Sequence, residues 1–229
     1  MLELVGSPGY ETISKPSEYV MRWVDTKIAE LGAINFGELG VGIGATTLAV
    51  AEKMSGKGEM HLFDFERRVD ELARDLKDRG FDNITTYSNT ERHWDSYHWN
   101  LSKLIREGKG EFFDVIYIDG AHTYLHDALA FFMCDRLLKV GGILVFDDWY
   151  WAFANSKWMA DTRDQFMTEE QAEALQIKMF LEELVNDHVG YKEVEKLTVY
   201  RKIAGTSRTS TNVFSGSKTG SFVKRLFSR

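Results

Sequence analysis

Two hydrophobic rhythms alternate along the chain between residues 17 and 203. Val20, Trp23, Val24 and Ile28 recur at three- and four-residue spacing and predict an opening helix over 16–31, with Pro16 suited to its first turn. A short apolar run at 35–39 then reads as a strand. It ends in a cluster of glycines and gives way to a helix over 46–54. The same alternation repeats as a strand at 60–64, a charged helix at 69–79 and a strand at 84–87. The run Phe113-Asp114-Val115-Ile116-Tyr117-Ile118-Asp119 is nearly all apolar before its last residue, as in a strand buried on both faces. A helix over 124–138 follows, and Lys139-Val140-Gly141-Gly142 reads as a helix stop and turn before a strand at 143–147. A long helix over 168–187 and two closing strands, 191–194 and 197–202, complete the pattern. Strands alternating with helices predict an α/β sheet covered on both faces.

The chain has 229 residues, which suits one domain. With 44% hydrophobic and 28% charged residues it is neither a disulfide scaffold nor a wholly disordered chain. No stretch approaches the roughly 18 apolar residues of a membrane span, and Met1-Leu2-Glu3-Leu4 does not open like a secretory signal. The single cysteine, Cys134, excludes an intramolecular disulfide and a cysteine-based zinc cluster, so a reducing, cytoplasmic setting is expected. The net charge of −7 argues against a general nucleic-acid binder. It is unevenly spread. Residues 204–229 hold three arginines, two lysines and no acid, a charge of +5 that leaves −12 for residues 1–203. Rich in Ser, Thr and Gly, they read as a flexible tail on a domain spanning 1–203, and 222–227 could form a short basic segment that touches anionic lipid or a protein partner.

The candidate chemistry lies where the strands end. Asp64 closes the second strand, Asp119 the fourth, and Asp147 with Asp148 the fifth. Ligands of open α/β sheets bind outside the carboxyl ends of the strands, so these acids would share a crevice with the glycine turn after the first strand. That turn is Glu38-Leu39-Gly40-Val41-Gly42-Ile43-Gly44-Ala45. Gly40, Gly42 and Ala45 also satisfy the spacing of a dinucleotide pyrophosphate loop. Glu38 shifts the balance. A carboxylate two residues before the first glycine faces a pyrophosphate badly, yet it can accept hydrogen bonds from an ammonium group.

With those residues the chain resembles the class I S-adenosylmethionine-dependent methyltransferases. Glu38-x-Gly40-x-Gly42-x-Gly44 is similar to their first motif, and Asp64 to the acid that holds the cofactor's ribose hydroxyls. The stretches Ile118-Asp119-Gly120-Ala121-His122-Thr123-Tyr124 and Leu138 to Asp148 are similar to metal-dependent small-molecule O-methyltransferases of the catechol and macrolide-sugar types. The resemblance implies a doubly wound, Rossmann-like sheet of seven strands, mostly parallel with an antiparallel closing strand. It also implies S-adenosylmethionine bound by Glu38, Gly40, Gly42, Gly44, Asp64, Ser88 and Asp119. Trp94 and Asn89 are further residues that could border the adenine. A divalent ion, magnesium or manganese, would be held by Asp119, Asp147 and Asp148.

Carboxylates suit such a hard cation, which lowers the pKa of a bound hydroxyl. The expected acceptor is thus a small molecule with a hydroxyl, a sugar or sugar-containing metabolite by the resemblance. His122 stands where the catechol-type enzymes carry a catalytic lysine and is a candidate base beside Asp119. The sugar-methylating relatives place an aspartate where this chain has Ala121. Trp149, Tyr150 and Trp151, with Trp158 nearby, suggest an aromatic wall for the acceptor. A homo-oligomer is compatible with these features. Two other readings stay open: a NAD-dependent oxidoreductase using the same glycine turn, and a non-catalytic protein of this fold recruited through its basic tail.

Overall fold

The computed structural model describes residues 1–157 and 159–205. Trp158 and all but the first two residues of the expected tail, its basic segment at 222–227 included, lie outside the described residues. In chain order the elements are α1 (Glu18–Leu31), β1 (Ile34–Leu39), α2 (Ala45–Met54), β2 (Gly58–Phe65), α3 (Glu66–Asp78), β3 (Ile84–Asn89), α4 (Tyr97–Arg106), β4 (Phe113–Ile118), α5 (Tyr124–Leu137), β5 (Leu138–Phe146), α6 (Glu169–Glu173), α7 (Gln176–Phe180), β6 (Tyr191–Glu195) and β7 (Val199–Lys202). The sheet runs β3-β2-β1-β4-β5-β7-β6. Its first five strands are parallel, and β7 pairs antiparallel with both β5 and β6. This is the doubly wound, seven-stranded arrangement expected.

Burial follows the patterning on each face. On one side Val20 and Val24 of α1, Val50 and Met54 of α2, and Val69 and Leu72 of α3 cover β1 and β2. On the other, Leu101 of α4, Phe131 and Cys134 of α5, and Phe180 of α7 pack against β4 and β5. Cys134 is therefore a core residue. Among the described residues no helix is long and apolar enough to cross a membrane.

One element is added and two expectations change. The stretch after β3 contains a helix, α4, whose Tyr97, Asn100, Leu101 and Leu104 are buried at helical spacing. Lys139 to Gly142 is not a turn between helix and strand, because β5 already begins at Leu138. The pairing of β4 with β5 jumps from Phe113↔Leu138 to Val115↔Ile143, and Gly141, at φ 83°, takes the left-handed conformation at that irregularity. The long helix at 168–187 is broken. α6 starts on a capping box between Thr168 and Gln171 and stops at Ala174, whose backbone is extended. α7 then runs into a five-residue π turn, Leu181–Val185.

The strand order reverses between β1 and β4, which places a crevice at their carboxyl ends. Backbone hydrogen bonds carry the ladder one residue past the strands, from Gly40 N–H to Phe63 O (2.8 Å), Asp119 N–H to Leu39 O (2.9 Å) and Asp147 N–H to Ile118 O (3.2 Å). The glycine turn and the strand-end acids thus share one rim.

Candidate active site

Glu38 lies near the end of the central strand β1, only 1% exposed, and its hydrogen bond comes from the Thr47 hydroxyl at 2.8 Å. Burial, with Asp64 close by, pushes its pKa up to about 8. A carboxyl so placed has no cation among the described residues to balance it. Gly40 follows at φ 86°, and a Cβ there would stand 2.0 Å from the backbone oxygen of Asp119. Only glycine lets β1 and the Asp119 turn approach so closely. Gly42 and Gly44 also have positive φ, at 52° and 87°. Gly42 faces open space, while a Cβ on Gly44 would collide with Leu72 and Leu2.

Asp64, at the end of β2, accepts from the Val41 N–H at 2.9 Å and the Phe65 N–H at 2.6 Å. Its carboxylate thereby ties the glycine turn to the second strand. Gly40, Asp64, Asn89, Tyr97, Gly120 and His126 are among the residues lining a cavity of about 310 Å³. Ser88, expected to contact the cofactor, is exposed and does not line this cavity. Alternation along β3 turns its neighbour Asn89 inward instead, 5% exposed. The Asn89 Oδ1 is buried and has no hydrogen-bond partner. Trp94 is 92% exposed and outside the cavity.

Beside the cavity, the ends of β4 and β5 bring the acids together. The Tyr117 hydroxyl, buried in β4, donates to Asp147 Oδ2 and lies 3.1 Å from Asp119 Oδ2. The other oxygen of Asp147 accepts from the Asp148 N–H at 2.8 Å. Asp148 itself adopts a left-handed backbone, φ 54°, which turns the chain sharply after β5. His122 does the same at φ 52°. As a result Asp119, His122 and Asp148 each offer a ligand atom within 4.8 Å of the others. Asp147, expected in that set, is not among these three; its oxygens accept from Tyr117 and the Asp148 amide.

The charges explain the proton affinities. Burial, Asp147 and Asp148 raise the pKa of Asp119 well above the usual carboxylate range. Burial and Asp147 push Asp148 up to about 6. Burial lowers the pKa of His122, against the pull of Asp147. A cluster of this kind holds either protons or a cation.

The aromatic stretch divides. Trp151 sits edge-on to His122, ring centres 5.7 Å apart, and to Phe153 at 4.7 Å. Tyr150 is 63% exposed. Trp149 packs partly into the core. Sequence reasoning missed Thr47 and Tyr117, and named Asn89 only as a further residue beside Ser88. The alternation of β4 carried a signal for Tyr117, which shares a face with Asp119.

The fold and rim place a candidate ligand crevice at the switch point of a doubly wound sheet. Residues 38–149, from the buried glutamate to the first aromatic after the acid pair, match a family model described as methyltransferase domain. That segment is similar to a methyltransferase domain, and the fold is shared with solved methyltransferase structures. No protein of curated function matches the sequence. Solved structures with the same fold include TomG of Streptomyces achromogenes, an O-methyltransferase involved in tomaymycin synthesis and solved with SAM. It has 16% identity and a TM-score of 0.57, over 82% of this chain and 81% of that one. The SAH-bound methyltransferase PaMTH1 of Podospora anserina has 17% identity and a TM-score of 0.58, over 88% and 85%. An O-methyltransferase of Bacillus cereus in complex with SAH has 15% and 0.58, over 89% and 87%.

The residues present fit such a cofactor. A buried carboxyl without a counter-charge suits the cationic amine of S-adenosylmethionine, and the unpaired Asn89 Oδ1 lacks a donor that a bound nucleoside would supply. They also fit a divalent ion, through two carboxylates and an imidazole.

Proposed function

We propose that the protein transfers a methyl group from S-adenosylmethionine to a hydroxyl oxygen of a small-molecule acceptor, with a divalent cation at the ends of β4 and β5. The observation that carries this reading is the adjacency of two sites on one rim. A cavity floored by Gly40 and Asp64 adjoins the 119–122 turn, and that turn carries two of the three members of an acid–imidazole cluster.

Glu38 would pair with the donor's amine, Asp64 with its ribose hydroxyls, and Asn89 Oδ1 with a donor group of the nucleoside. Gly40 admits the ligand against the strand ends because it presents no side chain. The sulfonium supplies an activated methyl group, which leaves the protein to align oxygen, carbon and sulfur at near-attack distance. A cation held by Asp119, Asp148 and His122 would lower the pKa of an acceptor hydroxyl. Tyr117 orders the carboxylates beneath that position. Trp151 and Tyr150 offer ring faces to the acceptor, which suits a sugar or an aromatic alcohol. Together with the resemblance to sugar-methylating enzymes, this favours a sugar-containing metabolite. A NAD-dependent oxidoreductase fits less well, since Glu38 would face a pyrophosphate.

The test is transfer of isotope-labelled methyl to a panel of sugars and catechols, with and without chelator. The expected product is a labelled methyl ether whose formation needs a divalent cation. Label recovered on nitrogen or carbon, or a rate untouched by chelator, would overturn the reading.

A further inference from the structure

If the cation of the proposed reaction sits on this rim, its identity depends on which side chains face it. Three acids alone would make an oxygen-only site, the kind that suits magnesium. The geometry differs at two points. Both oxygens of Asp147 already accept hydrogen bonds, Oδ1 from the Asp148 amide at 2.8 Å and Oδ2 from Tyr117, which fix its orientation. In its place stands His122, whose Nε2 lies 3.8 Å from Asp119 Oδ1 and whose Nδ1 lies 3.5 Å from Asp148 Oδ2. No hydrogen bond to His122 is formed by any described residue. Its separations from the two acids are longer than such bonds. They do bring donor atoms of all three side chains within 4.8 Å of one another. The left-handed backbones of His122 and Asp148 turn the two side chains toward one point from different loops.

We infer that the cation ligands are Asp119, His122 and Asp148, that Asp147 is a positioning residue held by Tyr117, and that the site selects a first-row transition ion such as manganese over magnesium. An imidazole nitrogen is a borderline ligand that favours transition metals, while two carboxylates keep the site hard enough for manganese. In this account His122 holds the metal and does not act as the base. The inference rests on the metal-assisted reading above.

The experiment uses the full chain with manganese alone as the probe. Electron paramagnetic resonance counts bound and free manganese in competition with magnesium, and pulsed spectra report nitrogen bonded to the bound ion. Binding of S-adenosylhomocysteine, measured on the same samples, reports the cofactor site and the fold of each variant. The expected result is manganese bound at least about tenfold more tightly than magnesium, with a directly coordinated nitrogen. In His122→Ala the nitrogen signal should vanish and affinity should fall by at least the roughly 10–100-fold that loss of even an outer-shell partner costs. S-adenosylhomocysteine binding should persist in that variant. Manganese bound without a nitrogen signal, or with one that survives His122→Ala, would overturn the ligand assignment. So would a protein that binds S-adenosylhomocysteine but no manganese. Loss of both ligands in the unmodified chain would remove the underlying reading as well.

Discussion

Replacing Glu38 by glutamine should make the free protein more stable and its cofactor site weaker. Glu38 is 1% exposed, accepts one hydrogen bond from Thr47, and has its pKa pushed from 4.5 to about 8 by burial and the nearby Asp64. The unfolded chain therefore releases this proton near pH 4.5, while the folded chain keeps it until about pH 8. An acid whose folded pKa is raised contributes stability that is complete below the unfolded value and is lost as pH rises through the folded one. At about 1.4 kcal/mol per pH unit, the loss between pH 4.5 and pH 7 is roughly 3 kcal/mol. Glutamine keeps the shape and an oxygen for Thr47 but titrates in neither state. Glu38→Gln should thus match the wild type near pH 4.5 and exceed it by about 3 kcal/mol at pH 7, or roughly 6–12 °C in Tm. In the same variant the charge-assisted bond to an ammonium group is lost. That is worth about 1.5–3 kcal/mol, or roughly 10- to 100-fold in affinity for S-adenosylhomocysteine. Denaturant unfolding at pH 5, 6 and 7 with calorimetry at pH 7 measures both. A variant whose stability difference from the wild type does not change with pH would refute the reasoning, as would one less stable at pH 7.

Gly40→Ala forces a Cβ to within 2.0 Å of a backbone oxygen at φ 86°, so strain and overpacking should together cost about 2–5 kcal/mol in denaturant unfolding; a cost below about 1 kcal/mol would contradict the close approach of β1 to the Asp119 turn. His61, 3% exposed among Tyr87, Phe112 and Phe113, has its pKa lowered from 6.5 to about 4, first by burial and then by Lys109. Its neutral form is the one folded, so the stability it allows is complete above pH 6.5 and is lost as pH falls toward 4, by about 3 kcal/mol. Relative to the wild type, His61→Phe should gain about that much between pH 7 and pH 4, and parallel unfolding curves would rule this out. Lys202, 2% exposed, donates to the carbonyls of Asp135 and Leu138 and pairs with Asp135 at 3.2 Å. Lys202→Met leaves the buried carbonyls of Asp135 and Leu138 without this donor and should cost about 2–6 kcal/mol, against less than 1 kcal/mol if these bonds contribute nothing.

The order of strands and helices was legible because burial imposes its period locally. Val115, Ile116 and Ile118 announce a doubly buried strand, and acids placed after such strands mark the crevice. Helix α4 was legible in principle, since Tyr97, Leu101 and Leu104 keep helical spacing, but the surrounding tryptophans and histidines resemble loop chemistry. The break at Ala174 carries no glycine or proline to announce it. At the site, Glu38, Gly40 and Asp64 stood out because strand ends and glycine turns have local signatures. The approach of His122 to Asp119 and Asp148 did not. It depends on positive φ at two non-glycine residues, which spacing does not reveal. The choice of Asn89 over Ser88 follows from the parity of β3, which its register with β2, Asp64↔Ser88 and Phe65↔Asn89, makes explicit.

The most direct measurement is calorimetric binding of S-adenosylhomocysteine and of NAD to the wild type and to Asp64→Asn. If the Glu38–Gly40–Asp64 rim is an S-adenosylmethionine site, the wild type binds S-adenosylhomocysteine and not NAD. Asp64→Asn then weakens that binding by roughly 10- to 100-fold through loss of a charged acceptor. Binding of NAD in preference, or an affinity for S-adenosylhomocysteine that Asp64→Asn leaves unchanged, would contradict the account.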